Sequence, residues 1–198
     1  NMSLNEFRLE LSKCYNLFKS TLNKKSFGYR ASCFSLDRSR LDIVKNIGFC
    51  YDSSRINFSM HPLYGSIDME GFQYMEKNIY SKEDFFEFQI TTVPFMNKNF
   101  PISGGGYIRI LPWRLIENMT KNYLKNNSFY ILYVHPFELS NVKFKNFPEN
   151  TSSLTKFRFL YGRKNMKSRL NRIIKILKDH GYTFKTLMEL RNNFLNLH

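Results

Sequence analysis

With 198 residues and 42% hydrophobic content, the chain can build one sizeable core and is too short for two full domains. Its 30 Lys and Arg against 16 Asp and Glu leave a charge of +14, which suits a polyanion partner, although an AT-rich codon bias would give the same mixture without any binding purpose. Cys14, Cys33 and Cys50 show no C-x-x-C spacing and so indicate neither a disulfide framework nor a zinc knuckle, favouring a reducing, cytoplasmic setting; no run reaches the length of a membrane span, and no signal pattern opens the chain.

Ser3 followed by Glu6 reads as a capping box. Leu4, Phe7, Leu11, Cys14 or Tyr15, Phe18 and Leu22 then recur at three- and four-residue steps, predicting an amphipathic helix of about five turns that stops over 23–26. So abrupt a start at Asn1-Met2-Ser3 leads us to expect preceding sequence. Phe27 to Ala31 reads as a short strand. Asp37 or Ser39 caps a second helix with Leu41, Val44 and Ile47 inward and Gly48 as its stop, and Phe49-Cys50-Tyr51 is a strand ending at Asp52. Helix, strand, helix, strand predicts an α/β layered or barrel fold.

From Ser53 to Lys82 the pattern weakens into a long connection, the expected wall of a cleft. Phe85 to Thr92 reads as a strand. Gly104-Gly105-Gly106 permit close backbone approach to a ligand or a flexible turn, and lack the spacings of nucleotide loops. Pro112 opens a helix to about Asn126 that buries Trp113, Ile116 and Tyr123. Phe129 to His135 reads as a buried strand that Pro136 terminates, its last side chain, His135, lying at the carboxyl end where α/β folds place chemistry; a hydrogen-bonded rim histidine is the plainer reading. After a polar loop, Ser140 to Ser153, a basic helix runs from about Arg163 to His180. Met166, Leu170, Ile173, Ile174 and Leu177 face inward there, Gly181 stops it, and Thr186 caps a last helix.

Two stretches together, Phe27-Gly28-Tyr29-Arg30-Ala31-Ser32-Cys33-Phe34-Ser35 and Tyr133-Val134-His135-Pro136-Phe137-Glu138, resemble the third and fifth sequence motifs of the polysaccharide deacetylases, metal-dependent carbohydrate esterases built on a distorted (β/α) barrel. Gly48 to Ser54 looks like the segment that follows the third motif. Phe100 to Pro112 and the tail from Thr155 to Leu187 are similar to elements of the subgroup associated with exopolysaccharide and surface-sugar pathways. Family members also carry an Asp-Asp motif and a His-x-x-x-His motif that supply the base and the metal ligands. Neither occurs here: the histidines are His61, His135, His180 and His198, without ligand spacing. The resemblance therefore implies one domain over 1–198, the carboxyl-terminal two-thirds of a deacetylase domain. Its fold would be a partial, distorted (β/α) barrel lacking the first strands, cut from a longer protein or without its metal half.

In the implied chemistry a divalent cation, zinc or similar, polarises the acetamide carbonyl and activates a water. A carboxylate takes the water's proton and a histidine protonates the departing amine of an N-acetylated polysaccharide or oligosaccharide. His135 matches that acid. Arg30 matches the arginine that orients the base, a role its planar fork suits. The Cys33 N–H matches an oxyanion donor, with Ser32 standing where the family commonly has proline. Asp52 either orients Arg30 or His135 or caps a loop. Ser103, Gly104, Gly105, Gly106, Tyr107, Arg109 and Trp113 are the expected sugar cleft, core packing being the plainer reading of Trp113. The alternative is a metal-free sugar-binding or regulatory relative. A nucleic-acid binder has only the charge behind it, with no recognised motif. The deacetylase reading requires Arg30 and His135 to converge on one cavity.

Overall fold

The capping box forms as expected. Ser3 Oγ accepts the Glu6 N–H at 3.3 Å and Glu6 Oε2 accepts the Ser3 N–H at 2.7 Å, starting α1 (Leu4–Leu22). Asn23 ends it at φ 47°; the rest of the expected stop, 24–26, lies outside the described residues. The computed structural model describes residues 2–23, 27–58, 61, 63–140, 142 and 147–196. They belong to two compact units, one within Asn1–Ile90 and Phe184–His198 and the other Thr91–Thr183.

In the first unit β1 (Gly28–Tyr29), α2 (Arg38–Ile47) and β2 (Tyr51–Asp52) follow in the expected order. Asp37 caps α2 by accepting the Arg40 N–H at 2.8 Å, and Gly48 closes it at φ 109°. The apolar face of α2, through Leu41 and Val44, joins Leu11, Leu36, Phe49 and Phe85 in one core. The connection read as a cleft wall holds a hairpin instead, β3 (Gln73–Glu76) and β4 (Ile79–Lys82), and β5 (Phe85–Phe88) follows. Asn78 makes the hairpin turn possible at φ 72°. The sheet order is β1-β2-β5-β4-β3, with β1, β2 and β5 parallel and β4 and β3 antiparallel. Every residue of β5, the central strand, is buried, as expected of a strand covered on both faces. The terminal helix, Leu187–Leu195, has the expected Thr186 cap and is tied back by Arg191, whose Nε donates to the Asp84 carbonyl at 2.9 Å. The chain is thus α/β, and among the described residues its sheet is open.

In the second unit the hairpin of β6 (Thr92–Phe95) and β7 (Lys98–Pro101) turns on Met96 and Asn97, both at positive φ. The glycine run then enters α3 (Gly105–Ile110), and α4 (Trp113–Leu124) starts just after Pro112. The buried strand expected over Phe129–His135 does not form. The segment is extended, but its neighbours, Thr91 and Ser103–Gly104, each offer it only isolated partners, so no ladder propagates. Ile131 donates to Thr91 Oγ1 at 2.8 Å, and Tyr133 makes a single parallel bridge to Gly104. Next come α5 (Pro136–Leu139), α6 (Ser153–Leu160) and α7 (Arg163–Asp179); the polar loop before α6 lies partly outside the described residues. Ile173 and Leu177 of α7 pack with Val93, Ile102, Ile116 and Tyr123.

Candidate functional site

Parallel strands end where α/β folds collect their polar groups, and here the carboxyl ends of β1, β2 and β5 do so. Tyr29, Asp52 and Glu87 lie level across the three strands. Beyond them Arg30 donates from Nε to the Ser53 carbonyl at 2.8 Å and from Nη2 to Ser53 Oγ at 2.6 Å. That hydroxyl donates in turn to the Phe88 carbonyl at 2.6 Å. Ser54 repeats the pattern: its Oγ accepts the Ala31 N–H and donates to Asp52 Oδ1, both at 2.8 Å, while its N–H donates to Asp52 Oδ2 at 2.7 Å. Asp52 therefore does not pair with Arg30 directly. It fixes the Arg30 loop through Ser54.

Glu87 completes this cluster. Its Oε1 accepts the Arg55 N–H at 2.9 Å, while its Oε2 is sealed from solvent with no protein donor and has the Asp52 carboxyl beside it. Burial first, and the Asp52 charge second, push the Glu87 carboxyl well above the usual range; burial also raises Asp52. Both Asp52 oxygens already accept from Ser54, which favours the charged form of Asp52 and leaves the larger upward shift to Glu87. Cys33 occupies the next turn at φ 53°, with its side chain exposed. Its N–H finds no acceptor among the described residues.

In the second unit His135 is exposed at the start of α5, its ring stacked on Phe137 at 5.6 Å. Its N–H donates to Glu138 Oε2 at 2.9 Å, and Arg109 Nε donates to Glu138 Oε1 at 2.8 Å. This ion pair is sealed, with Arg109 4% and Glu138 1% exposed. Arg109 also donates from Nη1 to the Tyr161 carbonyl and from Nη2 to the Arg158 carbonyl, both at 2.5 Å. Its role as a cleft residue is therefore corrected: the guanidinium is committed to holding the His135 turn and the end of α6. The glycines are corrected likewise. A Cβ on Gly104 would come within 2.7 Å of the Tyr133 ring and one on Gly105 within 2.0 Å of Glu138 Oε2, so both serve close packing. Ser103 is buried, its hydroxyl donating to the Thr91 carbonyl at 3.0 Å. Trp113 packs on the core, its ring covered by Arg172 at 4.0 Å. Of the expected cleft, Gly106, Tyr107 and Trp113 keep partial exposure.

A family model described as "Domain of unknown function (DUF3473)" matches residues 53–190. The chain belongs to this family. No curated protein and no solved structure matches it. The DUF3473 match takes in Ser53, Glu87, the glycine run, His135 and Glu138, and begins just after Arg30, Cys33 and Asp52. Those last three lie in the first unit and His135 in the second, so their convergence is a premise of the function proposed below. The implied metal has no ligand set here: among the described residues no group of three or more His, Cys, Asp or Glu is placed to hold one. Sequence reasoning missed Glu87, Ser53 and Ser54. For Glu87 a signal existed, a lone carboxylate within Phe85-Phe86-Glu87-Phe88, where a fully buried strand tolerates charge only when it is partnered or neutralised.

Proposed function

We propose that this DUF3473 chain is part of a polysaccharide deacetylase catalytic domain of the distorted (β/α) barrel type, releasing acetate from an N-acetylated amino-sugar polymer or glycan precursor. The observation that carries this reading is a guanidinium at the carboxyl end of a parallel strand, held by two bonds to Ser53 within a buried polar hub. Such an Arg30 can orient a carboxylate base by charge and fork geometry. The Cys33 N–H is positioned to receive developing negative charge on the acetamide oxygen. His135, exposed and fixed through its own backbone, supplies the proton for the leaving amine, a task an imidazole performs near neutrality. Ser53, Ser54, Asp52 and Glu87 hold the Arg30 loop in place.

The test is acetate release from an N-acetylated oligosaccharide by the protein expressed with whatever reading frame precedes Asn1. His135→Ala should lower kcat by roughly a hundredfold or more, the usual share of a general acid. Arg30→Ala should also lower turnover, and unaltered rates in both variants remove the reading. The absent ligand set among the described residues favours one second reading, a metal-free sugar-binding or regulatory relative. That protein would bind the oligosaccharide and release no acetate, and its upstream sequence would lack Asp-Asp and His-x-x-x-His.

A further inference from the structure

α6 is an eight-residue helix in which no side chain is buried. Leu154, Phe157 and Leu160 are 58%, 47% and 43% exposed, and Tyr161 directly after them is 50% exposed. On a helical repeat Leu154 and Phe157 share one stripe, with Leu160 beside it and the cations Lys156 and Arg158 on its two flanks. Phe159, on the opposite side, stacks on Phe137 at 4.6 Å and sets which face looks outward. The stripe is held rather than frayed, because Arg109 clamps the Arg158 and Tyr161 carbonyls.

Between Glu149 and Asp179 the chain carries only cations. From Thr151 to Lys178 the sequence contains nine Lys and Arg and no Asp or Glu. Arg163 and Arg169 are committed to backbone carbonyls, whereas Lys164, Lys167 and Lys178 are exposed. α1 makes a useful contrast, since it also exposes Leu9, Leu17 and Phe18. It carries Glu6 and Glu10, however, and Lys13 is paired with Glu10 at 2.9 Å. An apolar stripe between cations, with basic residues continuing beyond it, matches a surface that is anionic outside and hydrocarbon beneath. Nucleic acid would use the cations and leave the Leu154, Phe157 and Leu160 stripe without a role. No described helix is long and apolar enough to cross a membrane, so the contact would lie in the interface plane.

We propose that α6 and the start of α7 form a docking surface for an anionic lipid bilayer. This surface does not depend on the deacetylase reading. The test is co-sedimentation of the whole chain with phosphatidylcholine vesicles prepared with and without phosphatidylglycerol. Binding is expected only with the anionic lipid. Leu154→Ser with Phe157→Ser should weaken it about tenfold or more, as loss of two buried apolar side chains implies. Lys164→Glu with Lys167→Glu should weaken it by at least about tenfold. Leu9→Ser with Leu17→Ser on α1 should change nothing. Melting temperatures are matched to the parent first, and Leu154→Ser alone serves if the pair disturbs the fold. Failure to bind anionic vesicles overturns the proposal. So does binding that resists the α6 serine variant, the behaviour of a polyanion site, or binding that the α1 variant weakens equally. A dimer that the α6 serine variant dissociates would also overturn it, by showing that a second copy covers the stripe.

Discussion

Glu87 in the first unit and Glu138 in the second are both sealed from solvent, and the chain stabilises them by opposite means. Glu138 faces a guanidinium at 2.8 Å and a backbone N–H at 2.9 Å, so its charge is met by a cation and a second donor. Glu87 faces another carboxyl, Asp52, and burial together with that charge pushes its pKa well above the usual range. The first arrangement depends on geometry alone. The second ties the ends of β2 and β5 to the protonation of the solution, so the two carboxyl groups should respond differently to the same perturbations.

The largest effect belongs to the ion pair. Arg109→Ala leaves the Glu138 carboxylate buried without its cation and frees the Arg158 and Tyr161 carbonyls, and should destabilise by about 3–5 kcal/mol in urea unfolding. Replacing both partners, Arg109→Met with Glu138→Leu, should recover much of that loss, because no charge is then stranded. Gly105→Ala attacks the same pair by volume. Its methyl would sit 2.0 Å from Glu138 Oε2, an overlap that should cost about 1–3 kcal/mol.

The carboxyl pair breaks differently. Glu87→Ala strands the Arg55 N–H and leaves a void, for a loss of about 2–3 kcal/mol. Glu87→Gln should change stability at neutral pH by less than about 1 kcal/mol, since the amide still accepts from Arg55 and donates toward Asp52. Its signature is the pH profile. The folded pKa of Glu87 lies above the unfolded one, so the folded chain holds more protons between the two values. The associated stability is full below the unfolded pKa and is lost as pH rises through the folded one. Melting temperatures of the parent should therefore decline with rising pH across that window, and Glu87→Gln should flatten the decline. Arg109→Ala should leave it in place.

What was legible in the sequence was local. Ser3 with Glu6, Gly48 and Thr186 act through neighbours three or four residues away and ended or began their helices as expected, and of the two caps open for α2, Asp37 rather than Ser39 is the one used. What escaped was decided across the sheet. The hairpin of β3 and β4 was hidden because its turn rests on Asn78 rather than a glycine pair, and because β3 is an edge strand with little buried surface to mark it. Phe129 to Val134 has strand composition, yet strand formation needs a partner of matching length, which Thr91 and Gly104 do not provide. Arg30 and His135 entered as candidates only through a motif resemblance. That Arg109 and the glycines serve the Glu138 turn could not, because only packing reveals which side of a glycine is already occupied.

The smallest predicted effect separates support from chemistry. Ser53→Ala removes the hydroxyl between Arg30 Nη2 and the Phe88 carbonyl but keeps the backbone acceptor for Arg30 Nε, so one of the arginine's two bonds to Ser53 survives. Stability should fall by only about 0.5–1.5 kcal/mol. Ser54→Ala should exceed it, since that hydroxyl serves Ala31 and Asp52 together. If Arg30 only braces its loop, sugar turnover will follow these stability losses and Ser54→Ala will be the slower enzyme. If Arg30 orients the base, Ser53→Ala will be the slower enzyme although it is the more stable, and that inversion, read from kcat beside urea midpoints, is the outcome expected here.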